Sequence, residues 1–141
     1  MDWRSDFIEA KYHLSIANRM IEGYKEYPEK RFLIGVINES AITAGKLVRS
    51  FLIFENKKGN LQTFQNKIAP KYLDNSTTEN ILKMLEIQKA QKISPIEFAK
   101  GEKIILLING QYKILTVNRI KEFLRSIDDG VNVFNNVCRQ I

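Results

Sequence analysis

Two apolar stripes, one at each end of the chain, constrain the fold more than any other feature. Trp3, Phe7, Ala10, Leu14, Ala17, Ile21 and Tyr24 recur at alternating intervals of four and three residues. Val117, Ile120, Leu124, Ile127, Val131, Phe134 and Cys138 recur at alternating intervals of three and four. This spacing places every member of a stripe on one side of an α-helix and gives a strand no continuous face. Ile8, Ile16 and Met20 widen the first stripe. A chain of 141 residues, 44% hydrophobic and with seven Gly and three Pro, has enough apolar surface to bury such stripes in a single domain, residues 1–141.

Between the stripes the sequence predicts two further helices. Tyr27-Pro28 breaks the first helix, because a residue before proline avoids the α region. The second helix is expected over 29–55. It is apolar nearly all round, from Phe32 to Phe54, as suits the most central helix of a bundle. Its one polar stripe is Glu39, Thr43, Lys46 and Ser50. Gly35, Ser40, Ala41, Ala44 and Gly45 leave room for close approach of a neighbour. Residues 57–75 read as a long loop with one amphipathic turn, anchored by Leu61, Phe64, Ile68, Tyr72 and Leu73 and interrupted by Pro70. Ser76-Thr77-Thr78-Glu79 has the form of a capping box and opens a helix to about Lys92. Ser94-Pro95-Ile96-Glu97 has the same form, opening a short turn that Gly101 stops.

Lys103-Ile104-Ile105-Leu106-Leu107-Ile108 and Gln111-Tyr112-Lys113-Ile114-Leu115-Thr116 flank Asn109-Gly110, the signature of a two-residue hairpin turn. The register sets Ile108 opposite Gln111, Leu107 opposite Tyr112, Leu106 opposite Lys113 and Ile105 opposite Ile114. One face is then wholly apolar: Ile105, Leu107, Tyr112 and Ile114. That face is expected to lie on the helices, because a lone hairpin is marginal in water. Gly130 is expected to bend or divide the last helix. The resulting fold is mainly α, an antiparallel up-and-down four-helix bundle with a β-hairpin at about 103–116 inserted before the last helix.

The search for chemistry is mostly negative. The single cysteine, Cys138, excludes an internal disulfide and reads as a small core residue; with the single histidine, His13, it leaves no His/Cys zinc site. No glycine-rich phosphate loop occurs, and no cofactor or metal is expected. His13 reads either as a general acid–base or as a half-exposed helix residue. Glu39, with Thr43 and Lys46, forms a candidate polar stripe: a carboxylate site inside the bundle, or a solvent-facing structural ion pair. No catalytic residue is assigned. The amphipathic, charged N-terminus lacks the core of a signal peptide. The charges in 32–54 disfavour a membrane span, so the expected setting is cytoplasmic, away from membranes.

Charge supplies the partner clue. Lys+Arg exceed Asp+Glu by six, and the first 55 residues are neutral, so the excess belongs to residues 56–141. Lys57, Lys58, Lys67, Lys71, Lys100, Lys103 and Lys113, interleaved with Phe64, Tyr72 and Tyr112, form a candidate nucleic-acid surface over 57–113. The alternative is a solvated lysine-rich surface or a site for an acidic protein partner. Lysine dominance implies backbone-directed, salt-sensitive binding. The breadth of the apolar faces predicts a dimer.

The helix pair AKYHLSIANRMI and KRFLIGVINESAITAGKLV, with the later SPIEFAKGEKIILLINGQYKILTVNRIKEFL segment, resembles the HEPN-like helical bundles common in archaea and bacteria. The resemblance implies a helical core, frequent dimerisation and roles connected with nucleotides or RNA. Many members of that group are ribonucleases whose motif is Arg, four to six residues, then His. In this chain only Arg4 precedes His13, at eight residues' separation, so no catalytic residue carries over.

Overall fold

A computed structural model describes residues 2–93, 97–99, 103–108 and 110–140. Four long helices carry the fold: α1 (Trp3–Glu26), α2 (Lys30–Phe54), α5 (Asn75–Ile93) and α6 (Val117–Cys138). The short helices α3 (Leu61–Thr63) and α4 (Ala69–Tyr72) follow α2, joined by a π-helical turn at Phe64–Ile68. Strands β1 (Glu97–Ala99), β2 (Lys103–Ile108) and β3 (Gln111–Thr116) lie between α5 and α6.

The terminal stripes are buried as helix faces. In α1, Phe7, Ala10, Leu14, Ala17, Ile21 and Tyr24 are buried, and in α6 the run from Val117 to Phe134 is. Ile8 departs from expectation: it is 63% exposed, because it lies on the opposite side of α1 from that stripe. Helix α2 buries residues on most of its circumference and packs against α1, α5 and α6, so it is central. Partners across the α1–α2 seam run in opposite directions. Trp3 meets Phe54, and the Met20 side chain lies over Gly35 where a Cβ would collide with it.

Trp3, Phe7, Phe51 and Phe54 surround the Phe134 ring at centroid separations of 4.8–5.6 Å, tying α1, α2 and α6 at one end of the bundle. Burial of each such ring contributes roughly 2–3 kcal/mol. Gly130 does not divide α6, which runs unbroken from Val117 to Cys138. A Cβ there would approach Leu47 Cδ2 to 2.9 Å and Ile81 Cδ1 to 3.1 Å, so the glycine permits close packing of α2, α5 and α6.

Residues 61–72 differ from the expected loop. Asn60 caps the segment, its side-chain oxygen accepting from the N–H groups of Gln62 and Thr63. Pro70 is accommodated because the π-turn shifts the hydrogen-bond ladder just before it: the Ala69 N–H bonds to Phe64 O, five residues back. Helix α5 starts two residues earlier than the Ser-Thr-Thr-Glu signature implied, because Asp74 rather than Ser76 caps it, accepting from the Thr77 N–H at 2.7 Å.

The hairpin forms in the expected register, from Ile108 opposite Gln111 to Lys103 opposite Thr116. Gly110 has φ 76, the left-handed geometry such a turn needs. A third strand was not expected. Glu97–Ala99 pairs antiparallel with β2 in the order β1-β2-β3, where the sequence suggested a helical turn; Ser94, Pro95 and Ile96 lie outside the described residues.

The face assignment is reversed. Ile104, Leu106 and Leu115 are buried against the bundle, whereas Leu107, Tyr112 and Ile114 are 36%, 69% and 65% exposed. Ile104 and Leu115, at the end of the hairpin nearest the helices, decide which face turns inward, because they pack where β2 meets α5 and β3 meets α6.

Candidate functional site

The predicted polar stripe of α2 lies along its seam with α1. His13 Nδ1 and Glu39 Oε2 are 2.5 Å apart, and both side chains are only partly exposed. The edge of the Tyr12 ring approaches the imidazole, with centroids 5.3 Å apart. Thr43 donates to the Glu39 carbonyl one turn back and does not reach its carboxylate. Lys46 extends across the seam to Glu9 at 2.7 Å and Asp6 at 3.4 Å, and Arg49 reaches the other oxygen of Asp6 at 3.0 Å. The Glu9 bond holds the Lys46 ammonium above the usual lysine range, and the same bond holds the Glu9 carboxyl below its own. Every charge of this stripe thus has a partner in the adjoining helix. Among the described residues no group of three or more His, Cys, Asp or Glu side chains could hold a metal ion.

The candidate basic surface separates into two parts. Lys57, Lys58 and Lys67 are exposed around α3 and the π-turn, which packs on α2. Lys71 lies there too, but it donates to Glu55 at 2.5 Å, and Tyr72 donates to the same oxygen at 3.0 Å. The Lys71 bond holds Glu55 below the usual carboxylate range, and burial followed by that carboxylate raises the Tyr72 phenol. Lys103 and Lys113 lie on the hairpin, which packs on α5 and α6, and Lys100 lies outside the described residues. Phe64 is fully buried and Tyr72 stacks on Phe51 at 5.5 Å, so neither ring is open to a base. Tyr112 is the exposed aromatic of the predicted set.

The hairpin is where the structure gathers accessible groups. Its outer face carries two cross-strand apolar pairs, Leu107 with Tyr112 and Ile105 with Ile114. Between β3, α5 and α6 lies a groove of about 250 Å³ whose lining includes Lys83, Ile87, Lys113, Ile114, Arg119 and Phe123. The Arg119 guanidinium lies 4.4 Å from the centre of the Phe123 ring and is bonded to Glu122 at 2.5 Å. Its other nitrogen donates to Asn80 Oδ1 at 3.3 Å, while Asn80 Nδ2 donates to Ser126 Oγ at 2.8 Å. Sequence reasoning missed Lys83, Arg119, Asn80 and Ser126. They come from two helices far apart in sequence, and no spacing marks them as a group.

The geometry defines a class: a mainly α bundle with a small antiparallel sheet on one side. No protein-family model, curated protein or solved structure matches the chain. No helix among the described residues is long and apolar enough to cross a membrane.

Proposed function

We propose that this protein is a non-catalytic interaction module that self-associates through the outer face of its hairpin. The observation that carries this reading is the exposed block of Leu107, Tyr112 and Ile114, with half-buried Ile105 beside it. Contiguous apolar surface of this kind, raised on a rigid ladder, suits contact with another protein surface. A second copy suits it on three counts. The block is self-complementary, so a two-fold axis can apply it to itself. The described part of β2 and β3 carries no acid, so no unpaired carboxylate is buried in such contact. Lys103 stands at one end of the face, so antiparallel stacking sets the two lysines apart.

A lasting interface buries about 800 Å² per partner, and four side chains offer roughly half of that. The self-association is therefore weak and concentration-dependent. The non-catalytic part of the reading rests on the absence from the sequence of an arginine four to six residues before His13. The HEPN-like resemblance stands within the same proposal, since frequent dimerisation is what it implies. Sedimentation velocity over a wide concentration range tests the proposal: the apparent mass should rise above that of one chain, and Leu107→Lys should prevent the rise.

A further inference from the structure

The open edge of the sheet has a polarity of its own. The register leaves two residues between Ile108 and Gln111, and the pair flanking such a turn exchanges backbone hydrogen bonds. Alternation along β3 then turns the backbone groups of Gln111, Lys113 and Leu115 towards β2. Those of Tyr112 and Ile114 face away, towards an edge that no described strand covers. Directly beneath this edge is the groove between α5 and α6, with Ile87, Leu115 and Phe123 inside it and Lys83, Lys113 and Arg119 around it.

The charges beside the groove do not balance. Lys83 faces Glu86 at 3.6 Å and Arg119 faces Glu122 at 2.5 Å, while Lys113 has no ion pair among the described residues. An edge with unpaired N–H and C=O groups, an apolar floor and surplus positive charge matches one ligand chemistry closely. We infer that β3 receives an extended acidic segment of a partner protein as a fourth strand. The segment's backbone pairs with Tyr112 and Ile114, its apolar side chains enter the groove, and its carboxylates meet Lys113, Lys83 and Arg119. A single-stranded nucleic acid fits less well. Phosphates cannot pair with the outward carbonyls, and Tyr112 is the one open aromatic here among the described residues.

Ile114 borders both the outer face and the groove, but Leu107 lies on the outer face and does not line the groove, so Leu107→Lys separates this inference from self-association. The test uses the full chain and a fluorescein-labelled synthetic peptide repeating Glu-Thr-Val-Thr, which sets Glu and Val on the same, groove-facing side of an extended strand. The expected result is saturable binding with slowed amide exchange at Tyr112 and Ile114. Binding should weaken at least about tenfold in the Lys83→Glu/Lys113→Glu double variant and persist in Leu107→Lys. The same peptide with Lys in place of Glu, and the Glu-Thr-Val-Thr peptide interrupted by proline, should not bind. The inference is overturned by any of four results: no saturable binding, equal binding by the double variant, unchanged exchange at the two amides, or displacement of the peptide by a single-stranded RNA oligomer that binds more tightly. Circular dichroism of the double variant guards against misfolding, which surface lysines should not provoke.

Discussion

Leu107 and Tyr112 stand opposite each other across the β2–β3 ladder, and both turn away from the bundle. One residue along each strand, Leu106 is buried while Lys113 reaches the rim of the α5–α6 groove. The hairpin therefore has an inner face committed to the core and an outer face without a partner within the chain.

This division predicts a sharp contrast in stability. Leu106→Ala or Ile104→Ala removes a fully buried side chain and should cost about 2–5 kcal/mol in urea unfolding. Tyr112→Thr and Ile114→Thr alter exposed positions and should change stability by no more than about 0.5 kcal/mol. Larger costs for Tyr112→Thr and Ile114→Thr than for Leu106→Ala and Ile104→Ala would mean that the hairpin packs with the other face inward.

The buried contact between α5 and α6 should be costly to leave half made. Ser126→Ala removes the acceptor of the Asn80 amide. The expected loss is about 1–3 kcal/mol, read from chemical denaturation. Pairing Ser126→Ala with Asn80→Ala in a double-mutant cycle should recover part of it.

Thr116 couples strand to helix. Its hydroxyl accepts from the Arg119 N–H at 3.1 Å at the start of α6, where β3 ends. Thr116→Ala should cost about 1 kcal/mol, and Thr116→Ser much less. A thermal melt of each variant distinguishes them.

Glu55 sets part of the acid limb of stability. Its carboxyl is held below the usual range, first by the hydrogen bond from Lys71 and then, against some burial, by that from Tyr72. A carboxyl depressed on folding contributes stability that is fully present above its unfolded pKa and is lost as pH falls through its folded one. Glu55→Gln should therefore be less stable than the parent at neutral pH and lose less on acidification. Parallel pH profiles for the two proteins would rule out this role.

The helical frame was legible because one periodicity served both local and tertiary needs: the stripe from Trp3 to Tyr24 is helical in spacing and buried in fact. The hairpin register was legible too, since Asn109-Gly110 admits few turns. The inward face was not. Between residues 105 and 114 the pattern favours the wrong face, since Gln111 and Lys113 share the inward one with Leu106, and the choice falls to Ile104 and Leu115, which lie outside that span. Strand β1 was hidden for a related reason. A local helix-start signature preceded three residues whose pairing with Lys103, Ile104 and Ile105 is tertiary. The groove could not be read at all, because α5, β3 and α6 each supply only part of its lining. The polar stripe was half legible. Glu39 reads as a carboxylate in need of a partner, with Lys46 on its own stripe, but His13 as the partner of Glu39 and Glu9 and Asp6 as those of Lys46 are identified only once α1 lies antiparallel to α2.

The most direct measurement of the central claim is sedimentation velocity of the parent chain and Leu107→Lys from micromolar to near-millimolar concentration. The parent should move from 16.4 kDa towards twice that mass as concentration rises, while Leu107→Lys remains at 16.4 kDa throughout. A parent that stays monomeric across the whole range, or a variant that associates as the parent does, would contradict the assignment of the hairpin's outer face as the surface of contact.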